Sequence, residues 1–557
     1  MKKQGRYVLL DMLVDRGIRY VFGNPGTTEL PLMDALQDYG ELKYILSLHE
    51  PSAVAMADGY ARATGKPSFV NLHGVGGLAG GLVMLYDAFK GGTPMVATCG
   101  QFDTRMLMEE PLFSGNLIEM GSLYTKWSGE ILHGRDIPRA VRRAFRIAST
   151  PPTGPVFLSL PWNALTDEIE PDLSSPSTLY AEIRPDRGAV EEAAGLLAKA
   201  KKPLMLVGDR VAQARAVPAA VKAAELLGAA VMGVACMEVD FPTGHPQFEG
   251  PLNVDSTRTR DVLVRYDVIF AVGCSVVAQF LYAPDVLSGK EQLVHLDVNA
   301  REIEKNHAVK VGIWGDIGKG LEDVYDALDG SMSTVEREAA RMRRIELGEA
   351  HAKRREEFLA MSLKKQDQKP MDDAWLFLDM KDITPSNTIF TFEAPSSQRA
   401  FMRAFDFNEP GSLFGMKGGA LGWAIGGTIG VKLAQPARPV VCVVADGAAM
   451  YSIQGLWTAA QYGVPVVYII CNNRSYRILK HFTNTYYFPL MGIEGRKSDY
   501  IGMNFFEHPQ EFVRLAEGFG VQGFKVDNRE ELKRALEKAL ESGKPALLDV
   551  LIDPGDF

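Results

Sequence analysis

At 557 residues, with 46% hydrophobic and 23% charged side chains, the chain has a globular composition and enough length for three or four domains, three being the working count; disorder and collagen-like repetition are excluded. Its 60 basic and 69 acidic residues leave a net charge of −9, which gives no overall attraction to nucleic acid or to an anionic membrane and makes small molecules the expected partners. Cys99, Cys236, Cys274, Cys442 and Cys471 form no CxxC pair, Asp11 and Asp15 interrupt the N-terminal apolar stretch, and no apolar run reaches the roughly 18 residues needed to span a bilayer, so a reduced, cytoplasmic protein is expected.

The first third alternates short β-rich runs with helical stretches: YVFGNPG from Tyr20, YILSLHE from Tyr44, SFVNLHG from Ser68, PMVATCG from Pro94 and PVFLSLP from Pro155. Continuous apolar runs separated by helices predict a parallel sheet covered on both faces. After Pro161 a segment rich in Pro, Ser and acid reads as a linker, so the first domain is set at 1–180. PLMLVGD from Pro203, DVIFAVGCS from Asp267 and QLVHLDVN from Gln292 predict a second α/β domain over 187–340, ending in a charged helix that joins domains. TIFTFEA from Thr388, PVVCVVADG from Pro439, PVVYIICNN from Pro465 and ALLDVLID from Ala546 predict a third over 365–557. The expected fold is thus α/β, with three doubly wound parallel-sheet domains.

Open parallel sheets bind ligands at the carboxyl ends of their strands, where polar residues cluster in this chain: Asn24 to Thr28, Glu50 and His73 in the first domain, and Glu393, Asp446 and Asn472 to Tyr476 in the third. The sharpest signal is ADGAAMYSIQGLWTAAQYGVPVVYIICNN, in which one strand ends at Asp446-Gly447 and the next at Asn472-Asn473. A carboxylate and an amide oxygen converging there suit a hard divalent cation, while Gly447 lets backbone approach a phosphate. Each dipeptide alone also reads as an ordinary turn.

Taken with its spacing, in which residues 448–471, 24 residues, separate the two dipeptides, the segment resembles the signature of thiamine-diphosphate-dependent enzymes. The likeness extends along the whole chain and is greatest to the benzoylformate decarboxylase and acetolactate synthase branch, whose domains are pyrimidine-binding, central and diphosphate-binding. Ala445 and Ala448 depart from it, standing where that family has Gly and Ser. The resemblance implies thiamine diphosphate and Mg2+ as cofactors, the metal being held by Asp446, Asn473 and the Ser475 carbonyl. Gly447, Ser396 and Tyr476 would line the diphosphate, Gly419 would offer its carbonyl to the aminopyrimidine, and Leu421 would support the bent cofactor. Glu50, in LHEPSAVAMADGYAR, matches the glutamate that exchanges a proton with the pyrimidine ring.

Thr27 and His73 match the catalytic Ser and His of benzoylformate decarboxylase, whereas Phe280 stands near the place of its second catalytic His. With Ile478, Leu479 and Phe482 these residues form the expected substrate pocket. The resemblance implies non-oxidative decarboxylation of a 2-oxo acid to an aldehyde, or alternatively carboligation to a 2-hydroxy ketone. It also implies a homodimer or dimer of dimers (a homotetramer), in which Glu50 and Asp446 meet across subunits. The glycine-rich HGVGGLAGG from His73 is a weak dinucleotide-loop pattern, because no GxGxxG follows the first strand.

Overall fold

The computed structural model describes residues 2–172, 177–235, 237–252, 256–277 and 286–555. Strands β1 (Tyr20–Gly23), β2 (Lys43–Leu46), β3 (Ser68–Leu72), β4 (Met95–Gln101), β5 (Ser128–Glu130) and β6 (Pro155–Pro161) form the first sheet in the order β2-β1-β3-β4-β6-β5. The middle sheet contains β7 (Pro203–Val207), β8 (Ala230–Gly233), β9 (Phe248–Pro251), β10 (Val268–Val272), β11 (Gln292–Asp297) and β12 (Val311–Trp314), ordered β9-β8-β7-β10-β11-β12. The last sheet contains β13 (Ile389–Glu393), β14 (Leu413–Gly415), β15 (Val440–Ala445), β16 (Val467–Asn472), β17 (Gln522–Val526) and β18 (Ala546–Leu551), ordered β14-β13-β15-β16-β18-β17. Every neighbouring pair in the three sheets is parallel.

Counted within each domain, the first and last sheets share one strand order, 2-1-3-4-6-5, and the middle sheet has the 3-2-1-4-5-6 order of dinucleotide-binding folds. The apolar runs form the central strands because helices cover both of their faces: Val70, Ala97, Phe157, Val443 and Ile469 are fully buried. The expectation of three doubly wound parallel-sheet domains therefore holds. Cys99, Cys274, Cys442 and Cys471 are buried free thiols, and Cys236 lies outside the described residues. Among the described residues no helix is long and apolar enough to cross a membrane.

Two of the joints between domains are made by helices. The charged segment forms the helix α3 (Thr334–Leu363), started by a Ser333/Glu336 capping box. It lies along the middle domain through Arg343 and the Leu227 carbonyl (2.6 Å) and reaches the last domain where Trp375 Nε1 donates to the Ser362 carbonyl (2.8 Å). The second joint brings α1 (Glu50–Thr64) of the first domain against α4 (Trp423–Ala434) of the last, backbone to backbone. A Cβ on Gly430 would stand 2.0 Å from the Met56 carbonyl oxygen, one on Gly59 2.3 Å from that of Gly427, and one on Gly426 2.7 Å from that of Ser52. Backbone cannot yield as a side-chain tip can, so Gly430→Ala is expected to destabilise the protein by about 3 kcal/mol through overpacking. A denaturant midpoint unchanged from wild type would refute this contact.

Candidate active site

The strand ends of the first domain place three polar side chains, Thr28, Glu29 and His73, together. β1 runs into Asn24-Pro25-Gly26 and a tight turn, Thr27–Glu29, which aims Glu29 back beneath the sheet edge. Glu29 is 1% exposed and accepts from the backbone N–H of Gly26 (3.0 Å), that of Gly100 at the end of β4 (2.8 Å), and the Thr28 hydroxyl (2.9 Å). His73, which follows β3 and starts α2 (Gly74–Gly91), brings Nδ1 to 2.8 Å from Glu29 Oε2 and 3.1 Å from Thr28 Oγ1. An ionised carboxylate only accepts, so it fixes the proton on Nδ1 and leaves Nε2 as the nitrogen that can trade a proton with a ligand. The imidazole is one-quarter exposed. Gly26 is required by this approach, since a Cβ there would lie 2.3 Å from the His73 ring.

Thr27 stands at the exposed rim of the turn, so Thr28 is the hydroxyl that reaches His73. Glu50 opens α1, where a helix N-terminus favours negative charge. Its Oε1 accepts from Asn24 Nδ2 at 3.1 Å, and its Oε2 lies beside Gly80, where a Cβ would be 3.3 Å away. Phe113 was not anticipated from the sequence. It is largely exposed, adopts the left-handed φ of 66° and sets its ring 5.9 Å from that of His73.

In the last domain, register pairs Ala445 with Cys471, so the ends of β15 and β16 lie side by side. Asp446 is 1% exposed; its Oδ1 accepts from the Gly447 N–H at 2.7 Å, while its buried Oδ2 has no hydrogen-bond partner among the described residues. Burial pushes its carboxyl up to about 6, against the backbone N–H groups of Gly447, Asn473, Arg474 and Ser475. Asn472 turns away and donates to Asp549 (2.8 Å), whereas Asn473 is buried and its Oδ1 accepts from Ser475 N and Oγ, both at 3.0 Å. Arg474, with a φ of 54°, makes the sharp turn between them.

A buried carboxylate oxygen lacking a partner is costly unless something charged occupies its free side. Together with the amide oxygen of Asn473 and the carbonyl of Ser475 it would offer an all-oxygen donor set, a chemistry that fits a hard cation. Gly447 packs against Tyr476, where a Cβ would meet the ring at 2.6 Å, and half-buried Ser396 sits in the turn after β13. That turn is anchored by Arg477, which donates to Ser397 Oγ (2.9 Å) and pairs with Asp373. Ile478, Leu479 and Phe482 follow on one short helix, Arg477–Phe482; Leu479 is exposed and the other two are half-buried. Phe280 lies outside the described residues.

Glu393, singled out in the sequence by its place at a strand end, turns inward. Fully buried, it accepts from the N–H groups of Gly422 and Ala424, both at 2.6 Å, and burial pushes its carboxyl up to about 8. It thereby holds the loop that carries Gly419, exposed with a φ of 82°, and Leu421, half-buried against the core. The sequence offered no sign that Glu29 supports His73 beyond an acid following a strand-end turn.

Buried carboxylates, an imidazole and amide groups gather at the strand ends of two sheets with equal strand order, one in the first domain and one in the last. Comparison with known proteins gives the kind of protein. Residues 3–116 match the N-terminal TPP binding domain of thiamine pyrophosphate enzymes, residues 190–324 their central domain, and residues 394–550 their C-terminal TPP binding domain. The chain is 33% identical over 553 residues to benzoylformate decarboxylase of Pseudomonas aeruginosa, covering 97% of each chain. It is 28% identical to a probable acetolactate synthase large subunit of Methanocaldococcus jannaschii, over 99% of this chain and 92% of that one. The solved structure of a thiamine diphosphate-dependent 4-hydroxybenzoylformate decarboxylase from Rhodococcus jostii RHA1 superposes with a TM-score of 0.85 at 27% identity, covering all of both chains. The chain belongs to the thiamine pyrophosphate (thiamine diphosphate) enzyme family, in the branch of these decarboxylases and acetolactate synthases.

Proposed function

We propose that the protein decarboxylates a 2-oxo acid and releases an aldehyde, using thiamine diphosphate and Mg2+. The observation that carries this reading is the His73–Glu29 pair, because release of an aldehyde requires a proton delivered to carbon after carbon dioxide departs, and an oriented imidazole with Nε2 available is a source of that proton. When bound, the cofactor supplies the nucleophilic carbon and the electron sink for decarboxylation. Asp446, Asn473 and the Ser475 carbonyl would hold the metal; Ser396, Gly447 and Tyr476 would line the diphosphate; Gly419 and Leu421 would seat the pyrimidine side. Asn24 occupies Glu50 Oε1, which leaves Oε2 to exchange a proton with the pyrimidine ring.

Thr27, at the rim, would bind the substrate carboxylate, and His73 would move the proton at its Nε2. Ile478, Leu479 and Phe482, with Phe280, would form the wall met by the substrate's side chain, which favours an apolar or aromatic group. Glu50 and Asp446 belong to different domains, and a homodimer or dimer of dimers would let one chain's Glu50 serve the other's cofactor.

Carboligation to a 2-hydroxy ketone is the second reading, favoured by likeness to acetolactate synthases along 99% of the chain and by Phe280 where a second histidine is expected. Purified protein with thiamine diphosphate and Mg2+ is expected to release carbon dioxide from benzoylformate, pyruvate or a branched 2-oxo acid, with an aldehyde found by mass. A hydroxy ketone in its place would favour the second reading, and no release from any of them despite cofactor binding would refute both.

A further inference from the structure

The mechanism leaves unused a buried ionic cluster at the junction of all three domains. Arg62 from α1 contacts Glu238 of the middle domain (2.9 Å) and Asp58 of its own helix (3.3 Å). Lys417 of the last domain contacts the same Glu238 (2.6 Å) and Asp209 (3.1 Å), also of the middle domain. Both cationic side chains are 3% exposed. Burial works against the charge on Lys417, but Asp209 and Glu238 outweigh it and hold its pKa above the ordinary lysine value; burial likewise raises Glu238, yet Lys417 and Arg62 outweigh this and hold it low.

Such a cluster adds little to stability over apolar packing, since each buried ion carries a desolvation cost, but it fixes geometry. What it fixes here is a loop. Asp87 of the first domain accepts from the backbone N–H of Lys417 (3.1 Å) and of Gly418 (2.5 Å), and Asp58 accepts from Trp423 Nε1 (2.7 Å). Between these anchors lie Gly419 and Gly422, with φ values of 82° and 105°, a stretch with high conformational freedom unless it is held.

We propose that the ion cluster is a positioning device for the cofactor, through which Glu238 and Asp209 of the middle domain, acting on Lys417, set the loop that presents Gly419 and Leu421. This rests on the reading that Gly419 and Leu421 face thiamine diphosphate. The middle domain, none of whose described residues lies in the half-sites, thereby influences how tightly the cofactor is held.

The test is calorimetric titration of the full-length protein with thiamine diphosphate at saturating Mg2+. Lys417→Met is expected to raise the dissociation constant about tenfold, equivalent to about 1.4 kcal/mol, and Lys417→Arg to restore most of the affinity. Turnover at saturating cofactor should change far less than affinity, a division that simple loss of stability would not produce. Should Lys417→Met fail to fold, Asp209→Asn removes only one of the two partners of Lys417 and is expected to shift the same constant in the same direction. Leu421→Ala serves as the reference. If it weakens binding while the folded cluster variants bind as wild type, the cluster has no positioning role; if neither weakens binding, the assignment of the loop to the cofactor falls as well.

Discussion

Glu50→Gln is expected to lower turnover by about 10²- to 10⁴-fold, the usual contribution of a positioned acid–base group. The exchange keeps the shape of the side chain, and the amide oxygen of Gln can still accept from Asn24, which now bonds Glu50 Oε1 at 3.1 Å. What is lost is the carboxyl group that can gain and give up a proton. Glu50 is also the first residue of α1, and a purely structural Glu there would cost only about 0.3–1 kcal/mol of helix-dipole stabilisation, seen in unfolding and not in turnover. The two roles separate in steady-state kinetics at saturating cofactor. Equal turnover for the variant and the wild type would remove Glu50 from the chemistry.

Asp446→Ala is expected to weaken thiamine diphosphate binding in the presence of Mg2+ by about 100-fold or more, equivalent to at least about 2.7 kcal/mol, and to abolish the Mg2+ dependence of what binding remains. The stability of the cofactor-free protein should fall by less than a typical buried polar deletion would cost. Oδ1 accepts a bond from the Gly447 N–H that is lost, a cost of about 1 kcal/mol, but the partnerless, desolvated Oδ2 is removed with it, which offsets part of that cost. A folded state that needs Asp446 as an N-cap would lose stability and keep its cofactor affinity. Paired cofactor titrations, with Mg2+ and with a chelator, alongside thermal unfolding of the cofactor-free variant, distinguish these outcomes.

The sheets were readable from the chain because parallel strands buried on both faces are written as unbroken apolar runs, as in PVVCVVADG and PVVYIICNN. Their polar termini were readable for the same reason: Asp446 and Asn473 stand where an apolar run stops, and the register between β15 and β16 then sets them side by side. Short strands such as Ser128–Glu130 and Val311–Trp314 escaped, since so few residues carry no period of their own. The support of His73 also escaped. Which of Thr27, Thr28 and Glu29 faces the imidazole depends on the dihedral angles of one tight turn, and neighbouring residues differ in direction without differing in hydropathy. Lys417 looks like a solvated loop lysine in the sequence, and only contacts spanning hundreds of residues, to Glu238 and Asp209, reveal it as buried.

The glycine contact between α1 and α4 has a mechanical consequence. Most domain interfaces are cushioned by side chains that change rotamer as one body slides on another, but here carbonyl oxygens of one helix meet bare α-carbons of the other at Gly59, Gly426 and Gly430. Such a seam has almost no compliance, so the first and last domains act as a single welded block. Any rearrangement around a ligand is then expected within the loops at the strand ends and not in a sliding of these two domains.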